Sequence, residues 1–183
     1  MIILIGSSAS GKTEIANTLN QKFGITKSVT TTTRFMRRNE IQNVHYNFVS
    51  KEKFLQMLNS DKFVESTQYQ SNYYGLEKKE VKINGLSILD ISGANKLLKI
   101  FSDDIFVCYI SSSKNIRKER MLKRGDDPEV IDKRIESDNS LFDVSKLKKV
   151  NHVVLNENRD LLNVSKEIFN EYKKWSKRRL KWL

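Results

Sequence analysis

The stretch MIILIGSSASGKT, residues 1–13, decides the fold. Its first five residues are apolar without alternation, the pattern of a strand buried on both faces, and such strands belong to parallel sheets. Directly behind it, Gly6 to Thr13 fits the spacing GxxxxGK(S/T). That spacing describes a loop whose backbone N–H groups wrap a polyphosphate. Gly6 and Gly11 permit backbone geometry that a side chain would forbid. Lys12 is expected to reach the β- and γ-phosphates of a nucleoside triphosphate, and the Thr13 hydroxyl to coordinate Mg²⁺. A helix opening at Lys12 would aim its positive end at the same phosphates. Gly6, Ser8, Ala9, Ser10, Gly11, Lys12 and Thr13 are therefore the expected triphosphate-binding residues.

Working outward, apolar β-rich runs recur at 45–49, 86–91, 105–110 and 152–155. LSILDI and IFVCYI are near-continuous, like the first run. Helical periodicity fills 12–23, 51–58, 95–101, 114–123, 128–137 and 161–175. Ser50 is a plausible N-cap for the second of these, with Lys53 where a capping box would place Glu. Strands alternating with helices predict an α/β fold, a central parallel sheet flanked by helices. Residues 26–74 break the rhythm. They are rich in Thr, Asn, Tyr and Arg, and read as an inserted substrate-binding segment with short antiparallel strands. With one proline, no repeat and no low-complexity tract, residues 1–183 read as a single domain.

Lys and Arg number 33 against 22 Asp and Glu, a net charge of +11 that favours polyanionic partners. No apolar run approaches the ~20 residues needed to cross a bilayer, and the first run is too short and lacks the basic flank of a signal peptide. No membrane partner is expected. The single cysteine, Cys108, sits in IFVCYI and reads as a buried inert thiol. A cytoplasmic location follows as an expectation. The basic tail 173–183 reads as a solvated helix end, its cations suited to the helix dipole and its tryptophans packed on the body. Nucleic-acid contact is the weaker reading of the same charges.

Three further constellations point to chemistry. Asp90 ends the buried run LSILDI, where a carboxylate near the metal is expected. Arg34, Arg37 and Arg38 cluster behind a row of hydroxyls and ahead of Tyr46, and arginine forks suit a phosphate dianion. Glu65 ends the short piece FVES, and NYYG supplies Tyr73, Tyr74 and Gly75. One carboxylate can accept both N–H groups of a guanine edge, whereas adenine has no donor at N1. A charge-rich solvated loop would explain any one of these alone. Their order behind a phosphate loop argues against it.

The stretches GSSASGK, VTTTTRFMRR, VHYNFVS, FVES, NYYG, ILDI, RGDDPEVIDKR and VVLNEN resemble the guanylate kinase family, in the family's order and across nearly the whole chain. The resemblance implies a P-loop kinase fold with a core at about 1–26 and 77–183, a GMP-binding insertion at about 27–76 and a lid at about 124–131. It implies that Thr30, Arg34, Arg37, Tyr46, Glu65, Tyr74, Gly75 and Asp90 belong to the acceptor site. Arg34 and Arg37 would take the phosphate, with Tyr46 and Tyr74 assisting, while Glu65 and Thr30 read guanine. Arg124 and Arg134 would flank the lid over ATP, with Asn156 near the adenine. The implied activity is phosphorylation of GMP or dGMP by ATP, with Mg²⁺ held at Thr13 and Asp90. Lys12, Arg34, Arg124 and Arg134 would stabilise the transferring group electrostatically. The acceptor phosphate needs no general base, so His45 and His152 are expected to be structural. A monomer or a homodimer is expected.

The chain departs from the family pattern in places. Leu76 stands where a Ser or Thr usually follows the glycine, and Ser92 where the family reads LDID. Ser7 and Ala9 replace the phosphate loop's usual proline and middle glycine. The lid is one residue short and carries Pro128. These changes leave two alternatives open: a changed acceptor such as ribose bisphosphate, or a non-catalytic binding module. The module reading conflicts with the intact Lys12 and Thr13.

Overall fold

The computed structural model describes residues 1–38 and 40–180. In chain order the elements are β1 (Ile2–Ile5), α1 (Lys12–Phe23), β2 (Thr31–Thr32), β3 (Asn47–Phe48), α2 (Lys51–Asn59), β4 (Phe63–Tyr69), β5 (Asn72–Glu77), β6 (Leu86–Ile88), α3 (Ile91–Phe101), β7 (Phe106–Ser111), α4 (Lys114–Lys123), α5 (Pro128–Leu141), β8 (His152–Leu155) and α6 (Leu161–Leu180).

The central sheet has the order β6-β1-β7-β8, with every neighbouring pair parallel. β1 lies inside it, and all four of its residues are wholly buried. Successive side chains on a strand point to opposite faces, so an unbroken apolar run serves two cores at once. Ile2 and Leu4 pack with Ile15 and Leu19 of α1 and Val164 and Ile168 of α6. Ile3 and Ile5 pack on the other face with Ala94 and Leu97 of α3. Cys108 is buried in β7, and burial pushes its thiol well above the usual range.

A second, smaller sheet follows the order β3-β2-β5-β4. β4 and β5 form an antiparallel hairpin whose turn, Gln70–Ser71, has φ of 48° and 60°, as a tight type I′ turn requires. β2 pairs antiparallel with β5 but parallel with β3, so this segment is not purely antiparallel as the sequence suggests. The strand expected at 45–49 shrinks to Asn47–Phe48. His45 belongs instead to a turn held by Asn43 at φ 60° and by the His45 N–H on the Ile41 carbonyl, and Tyr46 closes that turn in an isolated bridge with Gln42.

Other boundaries shift for local reasons. β6 stops at Ile88 and α3 starts at Ile91, four residues before the expected start, because Asp90 caps it. Its Oδ1 accepts the Gly93 N–H at 2.7 Å. Ser50 caps α2 through Lys53 N–H at 3.2 Å. α5 and α6 outrun the expected ends at 137 and 175. In the basic tail, Trp175 packs against Phe106 and Tyr172, with ring centroids 5.6 and 5.7 Å apart. Trp182 lies outside the described residues. Among the described residues, no helix is long and apolar enough to cross a membrane.

Candidate active site

One cavity opens where β1 and β6 end, between the large sheet, the small sheet and α5. One wall is the loop between β1 and α1. At Gly6 a Cβ would sit 2.3 Å from the Ile110 carbonyl oxygen, so only glycine lets the loop lie against β7. Gly11 turns the chain into α1 with φ 96° and offers no side-chain cap, which leaves the first-turn N–H groups for an anion. Ala9 takes φ 59°, a conformation costing a non-glycine residue about 1 kcal/mol.

Ser8, Ala9, Lys12 and Thr13 line the cavity. Lys12 curls onto its own loop, its Nζ donating to the Gly6 and Ser7 carbonyls at 2.6 and 2.8 Å. Burial lowers its pKa to about 8, against the upward pull of Asp138. Gly6, Ser10, Gly11 and Asn156 do not line the cavity. Asn156 is buried and braces the loop from behind, its Nδ2 donating to the Ser10 carbonyl at 2.9 Å. Arg120, which belongs to no motif in the sequence, joins the same brace. It donates to the Ala9 carbonyl at 3.2 Å and the Asn156 carbonyl at 3.0 Å. Its only sequence signal is a place one helical turn before Arg124.

The opposite wall gathers Thr30, Arg34, Arg37, Tyr46, Glu65 and Tyr74. Arg34 lies over the Tyr46 ring at 5.3 Å and donates to Glu40 at 2.7 Å. The other oxygen of Glu40 accepts the Arg37 N–H at 2.7 Å. Glu40, also unforeseen, thus holds the arginine pair together. Burial pushes the Tyr46 phenol up to about 12. Tyr74 meets Tyr46 edge-on at 6.3 Å.

Gly75 does not line the cavity. A Cβ there would strike the Phe63 ring at 2.7 Å, so its place is set by packing. Glu65 is 4% exposed and accepts the Leu76 N–H at 3.0 Å. Burial, then the charge of Asp90, raises its pKa to about 7. Gly93 leaves room for it, since a Cβ there would lie 2.6 Å from Glu65 Oε2. Neither departure near the expected base pocket reaches the cavity. Leu76 is wholly buried in the α3-side core. Ser92, expected beside the acceptor base, is exposed on the first turn of α3.

The two walls meet at Arg124 and Arg134, both in the cavity lining. Asp126 sits between them. It accepts Arg124 Nε at 2.9 Å and Arg134 at 3.1 Å, and the arginines hold its carboxyl below the usual range despite partial burial. Pro128 occupies the first turn of α5, where a missing N–H costs nothing. His45 and His152 lie outside the cavity; His152 pairs with Glu167 at 3.0 Å.

Thr13 and Asp90 share the cavity wall, and both offer hard oxygen donors. Among the described residues, no group of three or more His, Cys, Asp or Glu could hold a metal. Two oxygen ligands fit Mg²⁺, which usually takes its remaining ligands from phosphates and water.

Comparison with known proteins agrees with this fold. The family model described as guanylate kinase matches residues 1–169. A guanylate kinase of Helicobacter pylori (strain ATCC 700392 / 26695) is 35% identical, over 99% of this chain and 89% of its own length. One from Clostridium perfringens (strain SM101 / Type A) is 33% identical, over 86% of this chain and 76% of its own. The solved guanylate kinase of Anaplasma phagocytophilum has the same fold, with a TM-score of 0.69 over 95% of this chain and 85% of that one, at 22% identity. The chain belongs to the guanylate kinase family of enzymes.

Proposed function

We propose that the protein transfers the γ-phosphoryl group of ATP to GMP or dGMP, giving ADP and the nucleoside diphosphate. The observation that carries this reading is a single cavity with the phosphate loop on one wall and, on the other, an arginine pair and the buried Glu65. On this reading residues 27–76 are the acceptor segment and 124–131 the lid.

An oxygen of the acceptor phosphate attacks the γ-phosphorus, and the β,γ-bridging oxygen leaves with ADP. The attacking oxygen is already anionic, so no side chain has to remove a proton. Lys12 neutralises the donor's β- and γ-oxygens, exchanging the Gly6 and Ser7 carbonyls for phosphate. Thr13 and Asp90 would hold Mg²⁺, which when bound neutralises the same oxygens and helps to align them. Arg34 and Arg37 bind the acceptor phosphate. Arg124 and Arg134 oppose charge that builds between the two substrates, as fixed cations do in phosphoryl transfer. Glu65 accepts the two guanine N–H groups, with Thr30 beside it.

The test is an acceptor screen with ATP and Mg²⁺ over GMP, dGMP, AMP, UMP and ribose bisphosphate. Turnover restricted to the guanine nucleotides is expected. Turnover of ribose bisphosphate alone, or ATP binding with no turnover of any acceptor, would overturn the reading.

A further inference from the structure

Asp138 has no place in the chemistry above, yet it is buried beside the site, 1% exposed on α5. Its carboxylate gathers groups from three other parts of the fold. Oδ2 accepts the Ser8 N–H of the phosphate loop at 2.7 Å and Arg117 of α4 at 3.0 Å. Oδ1 accepts the Tyr69 hydroxyl, at the end of β4, at 2.7 Å and the Ser8 hydroxyl at 3.4 Å. Ser8 Oγ and the Tyr69 hydroxyl are themselves 2.8 Å apart. A buried carboxylate is costly unless it is paired and fully hydrogen-bonded. Here Arg117 supplies the opposite charge, and the remaining hydrogen bonds come from one residue on each side of the cavity, Ser8 and Tyr69.

A second contact repeats the pattern one turn away. Arg134 donates from Nε to the Gln70 side chain. Residues 134 and 138 stand on one face of α5, and they meet consecutive residues, Gln70 and Tyr69, at the tip of the β4–β5 hairpin. The hairpin otherwise belongs to the small sheet. Through Tyr69 it is joined to the phosphate loop.

We propose that Asp138 is a positioning residue which, with Tyr69, latches the acceptor hairpin to the phosphate loop and so fixes the gap that the phosphoryl group crosses. This rests on the reading of the two walls as donor and acceptor sites. Alignment is the main demand of phosphoryl transfer. A hairpin released from α5 keeps its own arginines and Glu65, so acceptor binding survives while alignment is lost.

Tyr69→Phe tests the latch with little disturbance, because its ring keeps its neighbours Tyr74 and Phe142. The variant is expected to lose about tenfold in kcat with both KM values within about twofold of wild type. In the ligand-free protein, hydrogen exchange of the ladder amides at 67–74 should speed up about tenfold while the central sheet is unchanged. Asp138→Asn weakens the same latch but also leaves Arg117 without its counter-ion, so its stability is measured alongside. The double variant should turn over no more slowly than Asp138→Asn alone. Additive losses, an effect on KM alone, or unchanged hairpin exchange in Tyr69→Phe would each overturn the latch. If the wild-type protein fails to phosphorylate GMP, the reading of the walls falls, and the exchange experiment still decides the latch.

Discussion

The two walls of the cavity, proposed above as donor and acceptor sites, are built by different means. The donor wall is mostly backbone. Its loop springs from a strand with no exposed surface and runs into a helix packed on the same core. Forming the core therefore forms the cradle. The opposite wall is mostly side chain: Thr30, Arg34, Arg37 and Tyr46 come from the loops around two-residue strands, Glu65 and Tyr74 from β4 and β5. Its arginine pair is closed on Glu40, and the lid pair on Asp126. In the backbone cradle the Ser8 N–H is held by Asp138 and the Lys12 ammonium by two carbonyls of its own loop. In the side-chain cradle internal carboxylates hold the cations in place, and side chains turn where backbone does not, which makes it the more adjustable of the two.

The largest test of this contrast falls on Lys12, the one cation of the donor loop. Lys12→Ala should lower turnover about 10³-fold, as the loss of a fixed electrostatic stabiliser does. The fold should not suffer, since burial already disfavours the lysine's charge. Steady-state kinetics with denaturant unfolding checks both. A destabilised variant would mean that the cradle depends on its lysine.

On the acceptor wall, Arg34→Ala should cost about 10²-fold in kcat/KM, with KM for GMP rising and KM for ATP unchanged. Here the internal anion matters, because the variant strands Glu40 beside Arg37 alone. Arg34→Ala combined with Glu40→Gln should recover part of the lost stability but none of the lost affinity. Isothermal titration of GMP and a thermal melt separate the two. Equal recovery of both would show that Glu40 competes with substrate instead of merely holding the pair.

The same contrast explains what was legible beforehand. Residues 1–13 declare strand, loop and helix because each uses a local signal: an unbroken apolar run, glycines at fixed spacing, then helical periodicity. β2 and β3 are too short to show any period. Asp90 reads as a strand-end acid from either side, and only the fold reveals that it caps α3. Glu40, Asp126, Asp138 and Arg120 look in sequence like ordinary charges on loops and helices. Glu40 and Asp126 find their arginines within eight residues, but in loops with no period to show it. The partners of Asp138 and Arg120 come from elements distant in the chain, as with Asp138 and Ser8, 130 residues apart. Leu76 and Ser92 seemed to mark a changed base pocket, but one faces the core and the other solvent.

The smallest expected effect concerns pH, and it assigns one limb of the activity profile to each wall. Glu65 has its pKa raised from 4.5 to about 7 by burial and by Asp90. Between those values the folded protein binds more protons than the unfolded chain, so this residue's contribution to stability falls as pH rises through the window, by up to about 3 kcal/mol. Guanine reading runs the other way, because only the carboxylate accepts both N–H groups. Below pH 7, kcat/KM for GMP should therefore drop, approaching about tenfold per unit, while KM for ATP stays level. Lys12, lowered to about 8, loses its proton on the opposite side, so KM for ATP should climb above pH 8. Glu65→Gln should cost about tenfold in kcat/KM for GMP at pH 7.5, flatten the acid limb, leave the basic limb alone and raise stability above pH 7. A Gln variant that keeps the acid limb would place the titrating group elsewhere and end the assignment of guanine reading to this carboxylate.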